Sequence, residues 1–226
     1  TLKTFIADKL KGYLLTAIVG GVLMSALIHL IYTIGPTFWI WFSALAAVFV
    51  LFVNMFYTSL ILPLFNKLTP LQDGDLKTAI EKFALKVDFP LDNIFVIDGS
   101  KRSKKANAFF SGIGKKKKIV LYDTLIENHT TDELVAVLAH EVGHFKKKHV
   151  IWGYVLSILQ IVFTLFVLSR MAYSENVSLA LGGSQLAIHL NLLAFGILFS
   201  PISGITGLFM NMYSRRNEYE ADAYAK

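Results

Sequence analysis

From Gly12 to Asn66 the chain carries no Asp, Glu, Lys or Arg, a run of 55 residues. A helix needs roughly 20 apolar residues to cross the hydrocarbon core of a bilayer, so this run suffices for two crossings. Gly35-Pro36 divides it, because proline cannot continue a helix interior and biases its predecessor away from one. The reading is one span at about 12–34, a second at about 38–62, and between them a turn too short for a domain. Ile151–Ser169 is a third uncharged run. Asn176–Ser214 is a fourth, with room for a loop and a span at about 187–212, where Pro201, Gly204 and Gly207 predict a kink. Composition agrees. Hydrophobic residues make up 54% and charged ones 17%, against about 45–50% and about 25% in soluble domains. That excludes a disordered chain, a fibre or a simple cytosolic domain.

The charges are placed as the positive-inside rule requires. Lys3, Lys9 and Lys11 precede the first span, Lys67 follows the second, Lys146–Lys148 precede the third, and Arg215 and Arg216 follow the fourth. Four spans put all of these on one side, the expected cytoplasmic side, and leave only Arg170 and Glu175 on the other. The first apolar run is too long for a cleaved signal peptide and is followed at once by a second. Residues 66–149 hold 15 of the 22 basic and 11 of the 16 acidic residues, a net charge of +4, and read as one small cytoplasmic domain. In it Leu76, Ile80, Phe83, Ala84 and Val87 fall at helical spacing, while 93–98, 106–111 and 118–122 read as strands. The last two are joined by Gly112-Ile113-Gly114 and Lys115–Lys118. This lysine run reads as a solvated hairpin tip, with attraction to anionic lipid headgroups as the second reading. No reading surface for nucleic acid accompanies it.

Thr130-Thr131-Asp132-Glu133 is a capping-box pattern. It opens a helix predicted over about 131–148, which can run on into the third span. His140-Glu141-Val142-Gly143-His144 lies on that helix. Two histidines four residues apart differ by about 40° around the axis, so both imidazoles project from one face and can bind one zinc ion. Glu141 sits beside them, placed to hold the attacking water without being a ligand. Composition alone yields such an HExxH in roughly 0.5% of comparable chains. A catalytic zinc needs a third protein ligand. Cysteine is absent. His149, five residues after His144, points away by about 140°. His129 lies before the cap, and His29 and His189 lie inside spans. Glu218 and Asp222, just after the fourth span, share a helix face; one can bind zinc while the other orients a ligand histidine. Glu220 points elsewhere and reads as a solvated surface acid.

HEVGH, a hydrophobic span and then SRRNEYEADAYAK resemble the membrane-embedded CaaX prenyl endopeptidases, whose catalytic domain is shared with bacterial heat-shock membrane metalloproteases. LILPLFNKLTPL (60–71), FVIDGSKRSKKANAFFSGIGKKKKIVLYDTLI (95–126) and FIADKLKGYLL (5–15) extend the resemblance over essentially all 226 residues. The NAFFSGIGKKKKIVLYDTL stretch favours the prenyl endopeptidase branch. The resemblance implies His140, His144 and Glu218 as ligands of one zinc per chain, Glu141 as general base and Asp222 as the acid behind a ligand. It places Asn107, with Ala108 and Phe109, on a strand beside bound substrate. It also implies seven spans around an intramembrane chamber. The chain is therefore expected to lack upstream spans and a downstream histidine that would stabilise the oxyanion.

The fold class expected is a multi-pass α-helical membrane protein with a small cytoplasmic α+β zinc protease domain of the gluzincin type. Its divisions are a membrane hairpin at 1–65, a catalytic domain at 66–149, two further spans at 150–214, and at 215–226 the start of a helix carrying the third ligand. The expected partners are a lipid bilayer and a peptide or protein substrate, prenylated if the resemblance holds. The expected location is a bacterial inner membrane or the endoplasmic reticulum membrane. Strand addition at 106–111 would bind substrate. Membrane-protein quality control is the alternative within the same chemistry, and a non-catalytic scaffold or chamber the alternative outside it. A site-two type of intramembrane protease fits less well, since KKKH follows HEVGH at the membrane boundary.

Overall fold

The computed structural model describes residues 2–111 and 117–226. The tip at Gly112-Ile113-Gly114, Lys115 and Lys116 lies outside the described residues. Two long helices open the chain, α1 (Leu2–Ile34) and α2 (Phe38–Phe56), separated by the 3-10 turn Gly35–Thr37. Gly35 adopts φ +75°, where a side chain is strained, and Pro36 brings no N–H to continue a helix. α2 passes through a π-helical stretch, Tyr57–Ile61, into the short α3 (Leu62–Phe65). Lys11 Nζ donates to the Leu64 carbonyl at 2.8 Å. A straight helix would separate these residues by about 80 Å, so the chain reverses at Gly35-Pro36.

Then follow β1 (Leu68–Pro70), α4 (Asp75–Lys86), β2 (Leu91–Ile97), β3 (Ala108–Ser111), β4 (Lys117–Tyr122), α5 (Asp123–Asn128) and α6 (Thr131–Lys146). The rest is helical: α7 (His149–Ala172), α8 (Glu175–Ala180), α9 (Ile188–Leu198) and α10 (Ser200–Ala225). Two continuous helical stretches are long and apolar enough to cross a membrane, Leu2–Phe65 and His149–Ala172, and a third if α9 and α10 count as one span. Because the first stretch contains the reversal, each of its two arms is long enough for one crossing. α9 and α10 meet at 44°. The bend falls at Phe199 because Pro201 lacks an N–H and its ring clashes with the carbonyl of Ile197, four residues earlier.

The chain divides into two compact units. One comprises Thr1–Leu15, Leu51–His149 and Glu218–Lys226; the other comprises Thr16–Val50 and Val150–Asn217. In the first, the strands order β1-β2-β4-β3, with β2 and β4 parallel and the outer pairs antiparallel. β4 is central and buried on both faces, as a near-continuous apolar run should be. Ile119 and Leu121 point into a core with Ile80 of α4, Leu125 of α5, and Leu134 and Leu138 of α6. Val120, alternating to the other face, packs with Ile97 and with Leu62 of α3. Three strands and α4 thus form where sequence periodicity put them, with bounds shifted by up to two residues. β1 and α5 were unforeseen: one is three residues long and the other six, too short for a periodic pattern to show.

In the second unit, Ile31, Phe38, Leu165 and Leu168 form the buried cluster, and Trp39 meets Phe166 edge-on at 5.4 Å. Asn191 is fully buried. It donates to the carbonyls of Ala172 and Ser174 at 3.0 and 2.9 Å and accepts from Ser178 Oγ at 2.9 Å, so no polar atom is left bare. Trp41, Val48, Trp152, Leu193 and Phe209 are exposed. An apolar exterior of that kind is stable against lipid, not water.

Candidate metal centre

α6 begins with the capping box the sequence predicts. Thr130 N–H donates to Glu133 Oε2 at 2.8 Å, and Glu133 N–H to Thr130 Oγ1 at 3.4 Å. Leu134, Leu138 and Val142 are buried on one face, so His140 and His144 are carried on another. Against that face runs the end of α10. A Cβ on Gly143 would meet the Cα and the carbonyl oxygen of Ala221 at 3.1 Å each. Gly143 and the fully buried Ala221 therefore mark a crossing close enough for backbones to touch. Glu218 and Asp222, on either side of Ala221, are delivered to the two histidines by that approach. Residues 215–225 are the last turns of α10, not the start of a separate helix.

His140 Nε2 and His144 Nε2 lie 3.1 Å apart. Glu218 Oε2 lies 3.3 Å from the first and 3.6 Å from the second. Donors placed tetrahedrally about 2.0–2.1 Å from a zinc ion stand about 3.3–3.4 Å apart, so the set fits one zinc and leaves a fourth position open. Asp222 Oδ1 accepts from His140 Nδ1 at 2.8 Å, which fixes that ring with Nε2 inward. Among the described residues no other His, Asp or Glu group has metal-binding geometry. Burial pushes His144 below its ordinary pKa, favouring the neutral ring a metal requires. Glu141 is half-buried. Burial raises its carboxyl above the usual range; the nearby His140 charge opposes this and Glu218 adds to it.

Two sequence expectations need correction. α6 does not run into the third span. It ends at Lys146, and Lys148 adopts φ +59°. His149 is consequently turned back onto the site, its Nδ1 3.0 Å from His144 Nδ1; the 140° offset held only for a continuous helix. Glu220 is no mere solvated acid, since its Oε2 lies 3.2 Å from His149 Nε2. No glycine or proline marks the break, so neither contact has a local signature.

β3 begins at Ala108, two residues later than expected. It is the outer strand beside β4. Asn107, exposed just before it, accepts from Ala108 N–H through Oδ1 at 3.0 Å, and its carbonyl accepts from Tyr122 N–H at 3.0 Å. Ala108 is buried in the core and Phe109 packs with Ile97 and Val120. A peptide at this strand would therefore meet backbone rather than these two side chains.

Residues 70–226 match peptidase family M48. The chain belongs to this family. Residues 1–67 match the family described as CAAX prenyl protease N-terminal, five membrane helices. This M48 chain is similar to CAAX prenyl protease 1 of Saccharomyces cerevisiae, 37% identical over 246 residues that cover all of this chain and 53% of the yeast protein. It is also similar to the Arabidopsis thaliana CAAX prenyl protease 1 homolog, 39% identical over 230 residues with coverage of 100% and 53%. The crystal structure of S. mikatae Ste24p superposes with a TM-score of 0.91 at 34% identity, covering 100% of this chain and 56% of that one. The chain spans about half the length of the curated relatives it matches. The M48 match and the donor set agree on a membrane-embedded metalloprotease fold.

Proposed function

We propose that this chain carries the catalytic centre of a zinc-dependent membrane endopeptidase that removes C-terminal residues from prenylated CaaX-type substrates. The observation that carries the chemistry is the His140, His144 and Glu218 triangle, with Glu141 beside it and Asp222 behind it. The prenylated substrate class rests on the likeness to CAAX prenyl protease 1. Zinc held there supplies Lewis-acid polarisation of the scissile carbonyl and acidifies the attacking water. Glu141 takes the proton of that water and passes it to the leaving amine; a carboxyl raised by burial suits both transfers. Asp222 keeps His140 oriented. The outer strand β3, entered through Asn107, is the last of the sheet among the described residues, and its outer edge at Ala108 and Phe109 is where a peptide can align by strand addition. Residues 66–149 are the catalytic domain on the cytoplasmic side, residues 215–226 add the third ligand, and residues 1–65 and 150–214 hold it in the bilayer.

The deciding experiment compares cleavage of prenylated and unprenylated CaaX peptides by the intact protein, with a chelator control. Faster cleavage of the prenylated peptide, abolished by chelation, is expected. Equal cleavage of both would point to membrane-protein quality control instead. Metal analysis should find about one zinc per chain, and His140→Ala combined with Glu218→Ala should remove it. Undiminished zinc in that double variant would refute the ligand set.

A further inference from the structure

Resting on the zinc reading above, we infer that His149 and Glu220 form a hydrogen-bonded relay that sets the ring orientation and tautomer of the ligand His144. Each ligand histidine then has its own carboxylate-anchored brace: Asp222 acts on His140 directly, and Glu220 acts on His144 through an intervening imidazole.

The helix break creates the relay. With Lys148 in the left-handed region, the helix is interrupted just before His149, whose ring lies against that of His144, the centroids 5.1 Å apart. His149 is 7% exposed, and an imidazole so buried needs partners for both nitrogens. It has them, at 3.0 Å and 3.2 Å.

The donors and acceptors close without remainder. His144 turns Nε2 toward Glu218 and His140, and a metal there takes that lone pair, so the ring proton sits on Nδ1. Nδ1–H then donates to His149 Nδ1. With that nitrogen an acceptor, the His149 proton sits on Nε2 and donates to the Glu220 carboxylate. No group changes protonation for the relay to operate. α10 thus presents three acids at alternate positions for three tasks: Glu218 at the metal, Asp222 behind one ligand, Glu220 two bonds behind the other. His149 and Glu220 are positioning residues, since neither touches the reacting atoms.

The test measures zinc affinity by chelator competition, and the visible spectrum after cobalt substitution, on the intact protein in detergent. His149→Ala should weaken zinc binding about 10–100-fold and shift the cobalt bands. His149→Asn should recover most of the affinity, because its Oδ1 replaces Nδ1 as the acceptor for His144. A His149→Ala protein that binds zinc within twofold of the parent would overturn the relay. So would equal losses in the Ala and Asn variants, which would mark a packing role. Should His149→Ala fail to accumulate, Glu220→Ala decides: several-fold weaker zinc supports the relay and unchanged affinity overturns it. A parent that binds no zinc would defeat the metal centre itself, a result distinct from a zinc-loaded parent matched by its His149→Ala variant.

Discussion

In the proposed mechanism the proton transfer rests on one side chain, Glu141, whose carboxyl burial raises above its ordinary pKa. Glu141→Gln keeps the shape and most hydrogen bonding but removes the base. We expect zinc content and melting temperature to stay near the parent's while peptide turnover falls about 10²–10⁴-fold, the usual range for a general acid–base group. Near-parental turnover in the intact protein would move the base to another residue. A second residue, Asp98, ties the sheet to its flanking loop. It accepts from Lys67 N–H at 2.8 Å and from Lys101 Nζ at 2.7 Å. Burial pushes its carboxyl up, but those bonds and the charges of Lys101 and Arg102 outweigh it and hold the pKa below the ordinary value. A carboxylate with a lowered folded pKa contributes stability above the unfolded value of about 3.9 and loses it as pH falls through the folded one. Asp98→Asn should therefore lower the melting temperature at pH 7, with the difference shrinking as pH drops below about 4. A difference that stays constant from pH 7 to 3 would show the charge to be irrelevant.

At the scale of elements, the crossing of α6 and α10 at Gly143 and Ala221 assembles the site. Two helices that touch backbone to backbone cannot yield by turning a side chain aside. Gly143→Ala places a Cβ 3.1 Å from backbone atoms, and Gly143→Val adds two methyl groups at the same point. Overpacking costs typically about 1–3 kcal/mol, and here the strain is relieved by moving Glu218 and Asp222 away from the histidines. Chelator competition should show several-fold weaker zinc in the Ala variant and a larger loss in Val. Parental affinity in Gly143→Val would mean that the crossing does not set the ligand positions. The existence of α6 was legible in the sequence, because the capping box and the 3.6-residue stripe are local patterns. Its end was not: Lys147 and Lys148 have no glycine or proline beside them to announce the left-handed turn at Lys148.

Over the whole molecule, the positive-inside rule leads us to expect both ends of the first hairpin and residues 66–149 on one side of the bilayer. These 226 residues contain no cysteine, so a single cysteine placed among them reports its own position. Lys9→Cys, Lys104→Cys and Asn128→Cys should all react with a membrane-impermeant reagent from the same side. Labelling Lys9→Cys and Lys104→Cys from opposite sides would break the assignment. Arg102 already joins two of these regions, pairing with Asp8 at 2.8 Å and donating to the Phe65 carbonyl.

The sequence by itself determined whatever follows from a period or an exclusion. Uncharged runs of membrane length cannot stay in water, a histidine pair four apart shares one helix face, and the short apolar run at 118–122 reads as a strand. The third ligand narrowed to Glu218 or Asp222 on the same ground, before resemblance chose Glu218. Only the tertiary structure decided the sheet order with β2 parallel to β4, the approach of Ala221 to Gly143, and the placing of His149 and Glu220 behind His144. Glu220 stands 71 residues from His149. Contacts of that range are set by how closely two helices pack, and helix packing leaves no periodic trace in either segment.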